Sequence, residues 1–314
     1  MIGVQSALAF GNGIVTAMVV GGALPILEHL FQITTDISWL EGSDLNHPLL
    51  RRMTIEAPGT YHHSLVVANL AEAAAEAIGA NATLCRVCSY FHDVGKLVKP
   101  EYYTENMNFE RNPHDDLAPT MSALIIIAHV KEGVDLALKH KLNQQIIDVI
   151  QEHHGTSLVF YFYKRALQQH EDARAGGKIM KMREDDIPEV REESFRYSGP
   201  KPQTKESALI SLADMVESAS RSLEKPTPQK IEQLVTELIA QRISDRQLDE
   251  CDLTLGELRI IAERFRFTLM TMLHTRIAYP KPDSKAGTPR DDVLRPDVMA
   301  ASKKPASAPP VSAA

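Results

Sequence analysis

The chain has 314 residues, enough for one sizeable globular domain with appended segments. Its formal net charge of −7 excludes the overall basic field that attracts nucleic acid polymers, so none is expected as a partner. Three cysteines do not make a disulfide framework, which fits a reducing compartment. A 6% aromatic content, with plentiful Ala, Leu, Ile and Glu, favours helices.

The N-terminal stretch is strongly apolar. Residues 2–30 carry few polar side chains, and no Lys or Arg precedes Arg51. A secretory signal would need a basic start and a small-residue exit, and neither is evident. The run from Ile14 to Leu27 is long enough for a membrane-spanning helix, although it contains Gly and Pro. A buried helical hairpin is the alternative interpretation. Residues 34–47 then form a connector.

A succession of helices is predicted next. A short helix is expected near 48–56, and Thr60 would cap a second helix over 61–78 that Gly79 ends. Asn81 would cap a third, over 82–91. This helix contains a C-x-x-C pair, Cys85 and Cys88, for which core packing is favoured over a redox or zinc function.

The rest of the chain continues this helical pattern. Residues 99–117 form a polar loop whose Tyr102, Tyr103 or Asn106 would contact a nucleobase, unless the loop is simply solvated. A mobile insertion is expected over 171–204, and a disordered tail rich in Pro, Ala and Ser over 280–314. The helices expected between and after these segments cover 121–140, 144–152, a stretch beginning at 158, 205–223, 229–243 and 255–277.

Imidazole and carboxylate groups recur within or at the ends of these helices. They are His63, His92, Asp93, His129, His153, His154 and Asp214. Iron, manganese and zinc accept such ligands, and seven groups are enough for two metals that share one carboxylate. After Asp93, Gly95 is expected to end the helical pattern, so that the cation of Lys96 can point at the same place.

The order H…HD-x-GK…H…HH…D resembles the HD-domain metal-dependent phosphohydrolases. The sequence around these residues more closely resembles one branch, the membrane-anchored seven-transmembrane HD family that hydrolyses cyclic di-AMP. The matching phrases extend from about Gly11 to Pro280 and include Ala57–Ser64, Asn69–Gly79, Asn112–His114, Gly199–Lys205 and Asp249–Thr254.

The resemblance implies an all-α fold, an HD-domain helical bundle over 48–279 behind a membrane-proximal helix. Residues 1–33 would be the last transmembrane helix. Arg51 and Arg52 would then place the domain on the cytoplasmic side of the cell membrane. The family's upstream membrane helices and extracytoplasmic domain have no counterpart here. A fragment of a longer product or a shortened protein is therefore expected, and insertion of the segment by itself is left open.

The resemblance also implies a mechanism: metal-dependent hydrolysis of cyclic di-AMP to 5′-pApA. Asp93 would bridge two divalent metals, one bound besides by His63, His92 and Asp214 and the other by His129, His153 and His154. A hydroxide between the metals would attack in line, and Lys96 would balance charge on a non-bridging oxygen or hold the bound water. Iron or manganese suits these ligands better than magnesium. His62, next to His63, would lie against the metal ligands without binding a metal itself.

Two alternatives stay open at this point. An HD phosphohydrolase could act on another phosphate ester, such as a nucleotide or an RNA end, with the same ligands. A non-catalytic nucleotide-binding signalling module would normally have lost ligands, whereas every expected position here is filled. The expected partners are a cyclic dinucleotide and a membrane, through the N-terminal helix, and homo-oligomerisation is left open.

Overall fold

The computed structural model describes residues 2–31, 39, 43–107, 112–180, 189–223 and 226–274. Most of these residues are helical and none forms a strand; one isolated antiparallel bridge joins Leu158 to Arg196. The all-α prediction is confirmed. The α-helices are α1 Ile2–Phe31, α2 Pro48–Glu56, α3 Pro58–Ile78, α4 Ala82–Phe91, α5 Pro119–Lys139, α6 Gln144–Glu152, α7 Phe160–Met180, α8 Lys205–Ser220, α9 Pro228–Ser244 and α10 Leu255–His274.

Helix α1 is the long N-terminal helix. Its 30 residues include the span Gly3–Ala23, with a mean hydropathy of 1.5 and no part of it buried. By length and composition this helix could cross a membrane.

The hydrophobic core lies around α3, which packs against α4, α8 and α10. Fully buried side chains from several helices fill it, among them Leu49, Leu70, Phe91, Ile210 and Phe265. Burying each such side chain contributes about 1.5–3 kcal/mol. Apolar packing therefore holds these helices in fixed positions relative to one another.

The helix boundaries follow local sequence signals. Gly79 ends α3 in the left-handed conformation with φ 72°, and the Asn81 side chain accepts a hydrogen bond from the amide of Leu84 at the start of α4. The prediction that Thr60 caps α3 is wrong. The helix begins at Pro58, because a proline at the first position has no amide to satisfy. Thr60 is buried inside the helix instead.

The predicted mobile insertion over 171–204 includes regular structure at both ends. Helix α7 continues to Met180, and a 3₁₀ turn spans Glu192–Phe195. Phe195 is buried against Phe162 and Ala166, and its carbonyl accepts a hydrogen bond of 2.8 Å from the Val159 amide. This apolar anchor orders the return segment. Residues 181–188 lie outside the described part of the chain.

Other predictions are met in part or stay open. Cys85 and Cys88 are free and buried, as core packing predicts. The predicted disordered tail over 280–314, the end of α10 near 277 and most of the 34–47 connector lie outside the described residues. The domain boundaries stay predictions.

Candidate metal centre

Five helices bring the seven predicted residues together. His63 projects from α3, His129 from α5 and Asp214 from α8. The pairs His92–Asp93 and His153–His154 follow the last residues of α4 and α6. Six of the seven residues are buried, and His154 is partly exposed. The structure thus gathers residues that are up to 151 positions apart in sequence.

Asp93 lies at the middle of the cluster. Its Oδ2 atom is 3.3 Å from His92 Nε2 and 3.5 Å from His63 Nε2. Its Oδ1 atom is 3.4 Å from His129 Nε2 and 3.7 Å from His153 Nε2. The two carboxylate oxygens therefore face two different groups of imidazoles.

These groups form two four-residue donor sets that share Asp93. One set is His63, His92, Asp93 and Asp214, and the other is Asp93, His129, His153 and His154. Within each set, one donor atom per residue lies within 4.8 Å of all the others. Asp214 borders both sets: Oδ1 is 2.9 Å from His63 Nε2, and Oδ2 is 3.7 Å from His154 Nδ1. This partition matches the one that the family resemblance implies.

Backbone contacts orient three of the imidazoles. Their Nδ1 atoms donate to carbonyl oxygens of their own helices: His92 to Ser89 at 2.7 Å, His129 to Ile126 at 2.6 Å and His153 to Ile150 at 2.9 Å. A carbonyl oxygen only accepts, so the proton sits on Nδ1. Each Nε2 atom then points into the cluster, where it can bind a metal ion once any proton on it is released.

His63 is held differently. Its Nδ1 atom makes a short hydrogen bond to Glu217, a buried carboxylate that the Nε atom of Arg221 also contacts at 2.8 Å. Glu217 lies three residues after Asp214 on the same face of α8. The sequence interpretation missed it, although a D-x-x-E spacing within an apolar helix was the available signal.

Burial and neighbouring charges shift the titration of the cluster. Burial opposes the charged form of His92, but the adjacent carboxylates of Asp93 and Asp214 outweigh it and raise its pKa to about 10. Burial lowers the pKa of His129 to about 4, so this imidazole is neutral. Burial also opposes ionisation of Asp93, yet the Lys96 ammonium and His92 hold its pKa well below the usual value. Asp93 is therefore an anion at neutral pH.

Several buried atoms of the cluster lack hydrogen-bond partners. His92 Nε2 and Asp93 Oδ1 are in this state, and Asp93 Oδ2 makes no hydrogen bond beyond its ion pair with the Lys96 ammonium. Such atoms are costly to bury and are found where a ligand completes them. Imidazole and carboxylate are also the donor types that divalent transition metals accept. The cluster therefore fits divalent metal ions.

Lys96 and Gly95 lie in the 3₁₀ turn Val94–Val98, directly after Asp93. Lys96 Nζ is 2.8 Å from Asp93 Oδ2 and 2.8 Å from Glu105 Oε1, and it lies 5.1 Å from the centre of the Tyr103 ring. The prediction that Gly95 ends the helical pattern is wrong, because α4 already ends at Phe91. Glycine is required at this position because a Cβ would overlap the backbone of α5.

The loop after the turn is tied to α3. Asn106 Oδ1 accepts from the amides of Gly59, at 2.9 Å, and Thr60, at 3.1 Å, and its Nδ2 donates to Thr60 Oγ1 at 2.8 Å. These bonds use the side chain of Asn106, so the prediction that it contacts a base has no support. Tyr103 is buried as well. The expectation for His62 is also wrong, because this residue is exposed.

The aromatic ring of Tyr197 packs against the cluster at His154. Its ring stacks on His154 with 4.3 Å between the ring centres and 26° between the planes. It lies in the return segment after Phe195, and its amide donates to the Ser157 carbonyl at 3.0 Å. The sequence carried no signal for this contact, because the segment has no apolar period of its own.

Fold and site together define an all-helical domain whose two imidazole–carboxylate donor sets, sharing one aspartate, could hold divalent metal ions. The family model described as "HD domain" matches residues 60–219, about half of the chain, and this range contains all seven cluster residues. The chain belongs to the HD domain family.

Similar proteins and a solved structure agree with this assignment. The chain is 42% identical to cyclic-di-AMP phosphodiesterase PgpH of Bacillus subtilis strain 168 over 90% of its own length, and 43% identical to PgpH of Listeria monocytogenes over 82%. It spans only 38% and 34% of the length of these two relatives. The crystal structure of the L. monocytogenes PgpH HD domain in complex with cyclic di-AMP has a TM-score of 0.65 and 44% identity, covering 72% of this chain and 98% of that one.

Proposed function

We propose that this protein is a metal-dependent phosphodiesterase that hydrolyses cyclic di-AMP to 5′-pApA. The observation that carries the proposal is the pair of donor sets sharing Asp93. The substrate is supported by the likeness to an HD domain crystallised with cyclic di-AMP, which is 44% identical to this chain. Such a substrate suits a signalling role.

Two divalent cations would occupy the donor sets. His63, His92 and Asp214 would hold one, His129, His153 and His154 would hold the other, and Asp93 would contact both. Iron or manganese suits these ligands best, since several imidazoles combine with hard carboxylates. When bound, such cations supply a nucleophile at neutral pH and neutralise charge on the phosphoryl group.

The chain's own residues prepare the site for this chemistry. The low pKa of Asp93 keeps it anionic, and backbone carbonyls hold three imidazoles with their Nε2 atoms pointing inward. The Lys96 ammonium lies 2.8 Å from Asp93 Oδ2, where it would offset negative charge developing on a nearby phosphoryl oxygen. Burial excludes bulk water from the cluster and strengthens each of these interactions.

The same proposal extends to cellular location. Helix α1 would be a membrane anchor that follows further membrane helices, and residues 48–279 would form a catalytic domain at the cytoplasmic face. Support comes from the exposed apolar span Gly3–Ala23 and from Arg51 and Arg52 after it.

Hydrolysis of cyclic di-AMP tests the proposal. The purified chain, with Mn²⁺ or Fe²⁺ added, is incubated with cyclic di-AMP or cyclic di-GMP, and pApA is followed by chromatography. Chelator-sensitive conversion of the adenine compound is expected. If the protein binds metal but cleaves no cyclic dinucleotide, the substrate assignment falls, and other phosphate esters become the candidates.

A further inference from the structure

Arg242 on α9 is a buried cation without a carboxylate in contact. It is 7% exposed, and the described residues place no carboxylate oxygen within 4.0 Å of its guanidinium. Its Nε atom lies 3.2 Å from the sulfur of Met215, a weak acceptor. Arginine is almost never buried at this level unless it is paired. The guanidinium of Arg242 therefore lacks the anionic partner that a buried arginine normally has.

The nearest carboxylates are already occupied. Asp245 accepts from Arg196 at 2.9 and 3.2 Å and from Gln247 at 3.0 Å. Asp214 accepts from His63 at 2.9 Å. Burial lowers the pKa of Arg242, while these two carboxylates raise it from beyond contact distance. Neither neutralises Arg242 directly.

A cavity of about 420 Å³ opens at this arginine. Its volume lies in the range of small-molecule sites. Leu158, Phe160, Met215 and Leu238 give it apolar walls, and the Phe160 side chain is 55% exposed. Arg196 and Asp245 also line the cavity, but they pair with each other, and the other donors of Arg196 are taken by Glu192 and the Thr156 carbonyl. Arg242 is thus the cation that remains for a ligand.

Two segments of chain each contribute residues both to the cavity lining and to the metal centre. Met215 directly follows Asp214 on α8. Ser157, which lines the cavity, donates from its hydroxyl to the carbonyl of His154 at 2.7 Å. A ligand in the cavity would therefore lie beside the metal centre without using the seven cluster residues.

We propose that Arg242 and this cavity bind the phosphate group of a nucleotide, whose base packs on the apolar wall at Phe160. Guanidinium pairs with phosphate through two parallel hydrogen bonds, and burial strengthens them. An aromatic face and aliphatic neighbours suit a nucleobase. The nucleotide is either the substrate or product of the metal centre or a separate mononucleotide, since both carry the same chemistry.

The test measures binding after chelator treatment, so that no metal contributes to phosphate binding and no hydrolysis occurs. AMP, inorganic phosphate, adenosine and cyclic di-AMP are titrated into the full chain by calorimetry. We expect AMP to bind and adenosine to bind at least about tenfold more weakly, because it lacks the phosphate. Absence of AMP binding would overturn the proposal, whatever the outcome of the hydrolysis assay.

Variants assign the binding to Arg242. R242M keeps the aliphatic stem and removes the charge, and it is expected to weaken AMP binding at least about tenfold. R264M removes a charge from an exposed position on α10 and should bind AMP like the wild type. AMP binding by R242M equal to that of the wild type would refute the site. Loss of cyclic di-AMP binding in R242M would identify the cavity as part of the substrate site, and loss of AMP binding alone would identify a separate mononucleotide site.

Thermal unfolding without ligand separates this role from a structural one. An unpaired buried charge is unfavourable, so R242M should unfold at the wild-type temperature or above it. A clear fall in its midpoint, together with unchanged AMP binding by a folded R242K variant, would show that the arginine serves packing alone. R242K is expected to fold and to bind AMP more weakly, because an ammonium cannot make the paired contact.

Discussion

Gly95 and His129 are in direct backbone contact: a Cβ on residue 95 would come closer to the His129 carbonyl oxygen than the 3.0 Å that real Cβ atoms keep. The obstacle is backbone and cannot rotate away. We expect G95A to lower the free energy of unfolding by about 1–3 kcal/mol or more, because α5 must shift. The shift would also move His129 away from Asp93. Urea unfolding and metal content check both effects.

A matched control exists in α10. A Cβ on Gly256 would meet no atom nearer than 3.8 Å, so G256A should be neutral or slightly stabilising. Equal effects of G95A and G256A would contradict the role given to the contact between Gly95 and α5.

Lys96 joins the buried carboxylate of Asp93 and the partly buried carboxylate of Glu105. We expect K96M to lower the free energy of unfolding of the metal-free protein by about 3–5 kcal/mol, because Glu105 keeps its charge but loses its cation and retains only the hydrogen bond from Thr60 Oγ1. The double variant K96M/E105Q should recover much of this stability, yet hydrolysis should stay impaired because the ammonium beside Asp93 is missing. Recovery of turnover along with stability would assign Lys96 a structural role only. Denaturation and activity are measured on the same preparations.

Glu217 is expected to raise the metal affinity of the donor set that contains His63. A carboxylate behind a ligating imidazole fixes its orientation and raises its basicity, and its loss typically costs 10–100-fold in metal affinity. We predict that E217A lowers the affinity for one of the two metals by about 10–100-fold. E217Q should lower it less, because its amide oxygen still accepts the hydrogen bond from His63 Nδ1. Competition with a metallochromic chelator measures it. E237A, which alters an exposed glutamate on α9, serves as control, and equal affinities of E217A and E237A would refute the prediction.

The cysteines test the interpretation of the C-x-x-C pair. Burial raises the pKa of the Cys85 and Cys88 thiols, so little thiolate forms at pH 8, whereas Cys251 is partly exposed. Iodoacetamide should modify Cys251 in the native protein and the other two only after unfolding, as peptide mass spectrometry would show. Rapid modification of Cys85 or Cys88 in the folded protein would favour a redox pair.

The seven cluster residues could be predicted because each stands in or beside an apolar helix in a recognisable order. The structure brings all seven together, and the predicted helices over 48–56, 82–91 and 144–152 have the observed bounds. Local signals suffice for such elements, since capping and periodicity act within a few residues.

The contacts of the supporting residues could not be predicted in this way. The D-x-x-E spacing singles out Glu217, but not its contact with His63 across 154 positions. Tyr197 reaches His154 through a segment that Phe195 anchors. Thr60 looked like a cap but lies buried within α3. Each of these relationships depends on how helices pack, which no local pattern records.

The most direct test counts metal ions per chain after loading with Mn²⁺ and removal of excess metal, by elemental mass spectrometry. The central claim is that Asp93 would help to hold both of two divalent cations, one in each donor set. It predicts two ions per wild-type chain, about one in H63A and in H129A, and almost none in D93A. Two ions retained by D93A, or a single ion in the wild type, would contradict the shared-carboxylate site.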